Sequence, residues 1–205
     1  MAHEFYVGEV IGSTEGSSTK IENCVNMGKI IYETAHVDGL RYAYVGGIVG
    51  HAYICKSISV LNCASYAIIT STNQAEFTHV GGILGFLEPI SGENFVSNCV
   101  NYGSIIIANS FEGHTSYVGG IVGYSFEAGC YIKHENNVNT GEFKGNNTDP
   151  KLFLGSISGN TYNAKTDRCF WTNRFGVDKA HGMIDGYATT KNTYEIELIR
   201  QSRMT

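Results

Sequence analysis

Tyr44-Val45-Gly46-Gly47-Ile48-Val49-Gly50 is the stretch from which the rest of the chain is read. It returns as His79-Val80-Gly81-Gly82-Ile83-Leu84-Gly85 and as Tyr117-Val118-Gly119-Gly120-Ile121-Val122-Gly123. Weaker copies stand at Tyr6-Val7-Gly8-Glu9-Val10-Ile11-Gly12 and Phe153-Leu154-Gly155-Ser156-Ile157-Ser158-Gly159. The first glycines, Gly8, Gly46, Gly81, Gly119 and Gly155, follow one another at steps of 38, 35, 38 and 36 residues. A near-constant period of this size is the mark of stacked structural units, each burying its apolar face against its neighbours.

A second motif trails the first at a fixed offset. It reads Asn23-Cys24-Val25-Asn26-Met27-Gly28, Asn62-Cys63-Ala64-Ser65-Tyr66-Ala67, Asn98-Cys99-Val100-Asn101-Tyr102-Gly103 and Asn136-Asn137-Val138-Asn139-Thr140-Gly141, with Arg168-Cys169-Phe170-Trp171 as a degenerate copy. Short apolar runs come next: Ile30-Ile31, Ile68-Ile69 and Ile105-Ile106-Ile107. Period-2 stretches such as Ile58-Ser59-Val60-Leu61-Asn62 favour strands. One unit is therefore a glycine strand, a strand ending in Asn-Cys, and a third short strand, with corners between.

This pattern predicts an all-β chain folded as a parallel β-solenoid of about five coils of 35–38 residues, with like residues stacked at the strand spacing of about 4.8 Å. The coils are placed at 5–42, 43–77, 78–115, 116–150 and 151–190, giving a solenoid over 1–190. A tail over 191–205 follows, in which Asn192–Met204 carries a partial stripe (Tyr194, Ile196, Leu198, Ile199) and is expected as a short capping helix. A β-sandwich would explain short strands and glycine turns, but not two motifs recurring in fixed order.

Read as one strand, the glycine motif has two faces. Tyr44, Gly46, Ile48 and Gly50 keep their character in every copy, whereas the face of Val45, Gly47 and Val49 admits Glu9, Ser156 and Ser158. A packed interior rejects an unpaired Glu, so the first face is expected inward, with Tyr6, Tyr44, Tyr117 and Phe153 stacked. Val45, Val49, Val80, Leu84, Val118 and Val122 are then expected outward as two apolar columns, a candidate partner-binding face; the opposite parity, or loops covering the columns, is the alternative.

Composition excludes some functions. With 16% charged residues, a net charge of −5 and scattered Lys and Arg, the chain lacks the basic patch that nucleic acid requires. No apolar run is long enough for a membrane span. Met1-Ala2-His3-Glu4 has neither the basic nor the apolar part of a signal peptide, and the first motif copy begins at Phe5 with no room for a cap, so the chain is expected to be a piece of a longer protein.

No cofactor, metal or catalytic residue is expected. Cys24, Cys63 and Cys99 share one column, suiting buried thiols better than zinc or disulfides. Sugar hydrolysis needs a carboxylate pair, yet no Asp lies between residues 39 and 148, and the Glu residues there (Glu76, Glu88, Glu93, Glu112, Glu127, Glu135, Glu142) fall mostly in loops at unmatched columns. His51 shares a column with Phe86 and Tyr124, and His79 with Tyr44 and Tyr117, which reads as aromatic packing. The Asn23, Asn62, Asn98 and Asn136 column suits a turn with amide bonds from coil to coil. The sequon Asn146-Asn147-Thr148 stands alone.

The recurring Tyr-Val-Gly-Gly-Ile-Val-Gly, paired with Asn-Cys-Val-Asn-Tyr-Gly over residues 5–190, resembles the GLUG repeat. Cys169-Phe170-Trp171 is similar to the Asn-Cys-Tyr-Trp element that often closes such arrays, with Arg168 in place of its Asn. The resemblance implies an extracellular or cell-surface β-solenoid stalk or adhesive module and carries no catalytic residues. The leading expectation is a non-enzymatic scaffold or adhesive segment whose partner is a protein or glycan surface ligand. Self-assembly through open coil edges, and a carbohydrate-binding or carbohydrate-active β-helix, are the alternatives.

Overall fold

The structure is a computed structural model, and it describes residues 3–33, 39–72, 75–107, 114–126, 129–145, 151–172, 177, 179–185 and 188–196. The described residues are all β, and none is helical. No helix among them is long and apolar enough to cross a membrane.

One turn is typified by five strands: Leu40–Gly46, Val49–Cys55, Ser57–Leu61, Ala64–Ser65 and Ile68–Thr72. Each pairs in parallel with the same strand of the turns on either side, forming sheets A to E in that order. The register puts like on like: Tyr44 beside His79, Val45 beside Val80 and Gly46 beside Gly81. Sheets B, C and D have six strands, A has five and E has four. The fold is thus the parallel β-solenoid expected, with the described residues making four complete turns and parts of two more in place of five coils.

The last turn corrects the expected boundary at 190. Thr189–Lys191 pairs with Lys165–Asp167 in sheet C, and Tyr194–Glu195 pairs with Phe170–Trp171 in sheet D. The solenoid therefore runs through the start of the expected helix Asn192–Met204, whose remainder from 197 onward lies outside the described residues, as does the sequon Asn146-Asn147-Thr148.

The glycine motif is two strands, not one, and this overturns the expected parity. The chain bends at Gly47-Ile48, where the amides of Gly47, Ile48 and Val49 bond to Gly81 O and Ile83 O of the next turn at 2.9–3.1 Å. Before the bend Val45, Val80 and Val118 enter a core between sheets A and E. After it Ile48, Val49, Leu84 and Val122 enter a second core bounded by sheets B and C. All six residues expected outward, Val45, Val49, Val80, Leu84, Val118 and Val122, are fully buried. The serines that suggested otherwise are buried and satisfied: Ser156 Oγ donates to Val177 O at 3.2 Å and Ser158 Oγ to Asn160 O at 2.5 Å. Glu9 sits exposed on the first turn.

The Asn-Cys corner between sheets C and D has a backbone cause. Asn23, Asn62, Asn98 and Asn136 hold φ of 58, 55, 56 and 54°, in the left-handed region where Asn is among the few tolerated side chains. Arg168 and Asn192 continue the column at 49 and 47°. The expected bond from coil to coil is present between Asn136 Nδ2 and Asn98 Oδ1 at 3.1 Å. The second Asn of the motif turns inward: Asn26, Asn101 and Asn139 each accept from the glycine amide two residues on, at 2.7, 3.1 and 3.0 Å.

Candidate functional site: an aromatic cleft between sheets A and B

The bend at each glycine motif folds sheets A and B toward one another on the side away from both cores. Four turns build the cleft between them. In the first, Glu4 and Tyr6 precede the bend and Ser13 and Glu15 follow it. In the second the equivalents are Tyr42 and Tyr44, then His51 and Tyr53. The third has Phe77 and His79, then Phe86 and Glu88; the fourth has Thr115 and Tyr117, then Tyr124 and Phe126.

The inner positions close the floor. Tyr44 stacks on His51 at 4.4 Å, His79 on Phe86 at 5.1 Å, and Tyr117 meets Tyr124 at 5.1 Å. Along sheet A the rings stack as expected, with Tyr6 on Tyr44 at 5.5 Å and Tyr117 on Phe153 at 5.2 Å and His79 as the middle rung, but the ladder faces the cleft and not the interior, where it was expected. The two histidines are packed rings, as their columns suggested. Burial pushes His51 down to about 4 and His79 to about 3, so both are neutral near pH 7. Burial also raises the Tyr44 phenol, and burial with its hydrogen bond to Glu4 raises Tyr6.

The outer positions line an open cleft of about 530 Å³, a size typical of small-ligand sites. Tyr42 and Phe77 stack at 5.3 Å on one wall; Tyr53 and Glu88 are ladder neighbours on the other. The lining side chains are Tyr, Phe, His and two Glu, Glu4 and Glu88, with no Lys or Arg. Glu88 stands in the strand Leu84–Pro89 rather than in a loop. It is half-buried, its carboxyl is raised by burial, and it has no hydrogen-bond or ion-pair partner among the described residues. Arg41 lies outside the lining, with its guanidinium 5.2 Å from the Tyr42 ring centroid and 3.8 Å from Glu76.

The columns expected to bind a partner are thus core, and the cleft is what the sequence reading missed. A signal was present: aromatic residues recur two positions before the first glycine and one position after the last. Read across a bend instead of along one strand, those positions converge.

The other candidates fall elsewhere. Cys24, Cys63 and Cys99 form their column as free thiols and Cys169 extends it. The hydrogen bond with Cys63, and burial after it, raise Cys99, and burial takes Cys169 up to about 11. Asn137, which replaces Cys in the column, accepts from Cys99 N at 2.9 Å and donates to Val96 O at 2.7 Å. A separate ladder on the opposite corner, Met27, Tyr66 and Tyr102, is exposed, with Tyr66 and Tyr102 stacked at 4.7 Å. Compared with known proteins, the chain matches no protein family, no curated protein and no solved structure.

Proposed function

We propose that this chain is a non-catalytic binding segment of a secreted or cell-surface protein, with the aromatic cleft as its recognition surface and the solenoid as a rigid support. The observation that carries this reading is the cleft itself. Four successive turns each contribute rings to one concave surface of about 530 Å³, and open aromatic faces lose water at little cost when a flat or apolar ligand covers them. The walls are held by parallel ladders on both sides, so the cleft needs little ordering on binding. The repeat pair resembling GLUG fits a surface location. Among the described residues Glu4 and Glu88 are the only lining carboxylates; they stand two turns apart, roughly 10 Å along the axis, and Glu4 is engaged by Tyr6, an arrangement better suited to binding than to acid–base work.

The test is an aromatic-region NMR titration against neutral oligosaccharides, extended peptides and small organic cations. At least one class is expected to move cleft tyrosine and phenylalanine resonances saturably, and Tyr53→Ala is expected to abolish the effect. Steady hydrolysis of a glycan, abolished by Glu88→Gln, would overturn the non-catalytic reading.

A second reading, self-association, is favoured by the exposed Met27, Tyr66 and Tyr102 ladder. Light scattering across a wide concentration range separates the two: mass growth abolished by a Tyr66→Ser/Tyr102→Ser double change would make assembly the working property.

A further inference from the structure

We infer that the cleft between sheets A and B binds small quaternary-ammonium cations, seated against Tyr42 and Tyr53 with Glu88 as counter-charge. The inference rests on the cleft being the recognition surface, and three observations narrow its ligand to this class.

The first is sign. The lining offers π faces and carboxylates and no basic side chain, and the buried imidazoles of His51 and His79 stay neutral. The ring faces and carboxylates of the lining attract a positive charge, since the face of an aromatic ring carries the negative lobe of its quadrupole; the Arg41 guanidinium, against Tyr42, stands outside the lining.

The second is an unanswered charge. Glu88 is half-buried and raised by burial, and no described residue pairs with it. A carboxylate removed from water without a partner is costly, and an incoming cation removes that cost. Its neighbours in the ladder and across the floor are Tyr53, Phe86 and Tyr44, so the counter-charge and the ring faces lie together. Arg41 shows that the Tyr42 ring accepts a cation, at 5.2 Å, within the range where such contacts contribute.

The third is the kind of polar group present, acceptors and phenols set among ring faces. Among the described residues the polar atoms of the lining are the hydroxyls of five tyrosines, the rings of His51 and His79, and the carboxylates of Glu4 and Glu88. A primary ammonium holds its water tightly and sheds it at a cost against ring faces; a sugar's hydroxyls find partners in the tyrosines, which makes a hexasaccharide the competing probe. A quaternary ammonium has no N–H to satisfy, is weakly hydrated, and covers rings with methyl groups.

The test uses choline, tetramethylammonium, the neutral choline isostere 3,3-dimethylbutan-1-ol and a neutral hexasaccharide, each titrated into the full chain and read by aromatic NMR shifts. Choline and tetramethylammonium are expected to shift Tyr42, Tyr53 and Phe86 resonances saturably, with the isostere at least 10-fold weaker. Glu88→Gln is expected to weaken choline about 3- to 10-fold and leave the isostere unchanged, and Tyr53→Ala to weaken choline at least 5-fold. Tyr66→Ser, on the far corner, leaves all affinities as they were, and melting temperatures confirm that each variant folds. Equal affinity for choline and its isostere overturns the inference. Cleft shifts with the hexasaccharide but not with the cations overturn it while leaving the cleft as the recognition surface. No shift with any of the four probes overturns both.

Discussion

The rings of Tyr44 and His51 stack 4.4 Å apart, with 26° between their planes, across a bend only six residues long. Rings on two sheets come this close only if the backbones nearly touch at the vertex, and the glycines permit it. A Cβ on Gly46 would run into the carbonyl oxygen of Val49 and lie 2.8 Å from Gly85 N. Both obstacles are backbone, so no side chain can move aside. Gly46→Ala is therefore expected to cost more than about 3 kcal/mol, in the range of severe overpacking. Gly12→Ala, whose added carbon meets only Tyr6 O at 3.5 Å, is expected to cost under about 1 kcal/mol. Urea unfolding followed by circular dichroism compares them; equal midpoints would mean the vertex is looser than described.

The Val and Leu columns make an equally sharp contrast. Val80 is fully buried between sheets A and E. Val80→Ala is expected to lower stability by roughly 1–3 kcal/mol, and Val80→Asp to abolish folding, because a buried carboxylate would have no partner. Tyr66→Ser, at an exposed position, is expected to change stability by less than about 1 kcal/mol. If Val80→Asp folds with an unchanged melting temperature, Val80 faces solvent after all.

That contrast also marks how much was legible in the sequence. The period gave the solenoid, the strand order and the stacking of His51 and His79 among rings, because a parallel ladder puts equal positions side by side. It did not give the bend at Gly47-Ile48. A Gly-Gly-Ile run fits an extended strand as well as a vertex, and only the contacts of the folded chain separate them. The inward assignment therefore held for Ile48 and failed for the Tyr44 ring, which lies on the cleft side, the outward assignment failed for Val45 and Val49, and the convergence of the outer rings stayed hidden. Ser156 and Ser158 misled for a related reason: a hydroxyl beside a main-chain carbonyl is as well placed in a core as in water.

Asn98 tests the corner between sheets C and D. Its φ of 56° is left-handed, and its amide oxygen accepts from Asn136 Nδ2. Asn98→Ala combines an unfavourable backbone region with a lost hydrogen bond and is expected to cost about 1–3 kcal/mol. Asn98→Gly keeps the backbone at ease and is expected to cost about 1 kcal/mol less than Asn98→Ala in thermal melts. Equal costs would place the whole effect in the side-chain bond.

The six cysteines are free, and only Cys24 is partly exposed. A thiol reagent such as DTNB at pH 8 is therefore expected to modify one thiol per chain quickly and the other five at the rate of opening or unfolding, with the fast phase absent in Cys24→Ser. Several fast thiols would mean that the columns open locally far more easily than their burial implies.

Acid provides the last test, through four buried imidazoles. His51 and His79 lie in the floor of the cleft, and His134 and His181 lie near one another by the second core. The ring nitrogens of the latter two find no hydrogen-bond partner among the described residues. Burial is the main cause of all four shifts, with His51 adding to that of His79 and His181 to that of His134. The folded-state values fall to about 4 for His51 and His181, and about 3 for His79 and His134. An unfolded histidine titrates near 6.5. Between these values the unfolded chain binds protons that the folded chain refuses, so stability rises with pH across this window and is lost as pH falls. At pH 5 the loss relative to pH 7 is about 2 kcal/mol per imidazole. The melting temperature is expected to fall steadily from pH 7 to pH 5, and His134→Leu to reduce proton uptake on unfolding at pH 5 by about one, as measured from the slope of stability against pH. A flat profile from pH 7 to pH 5 would place these rings in contact with water.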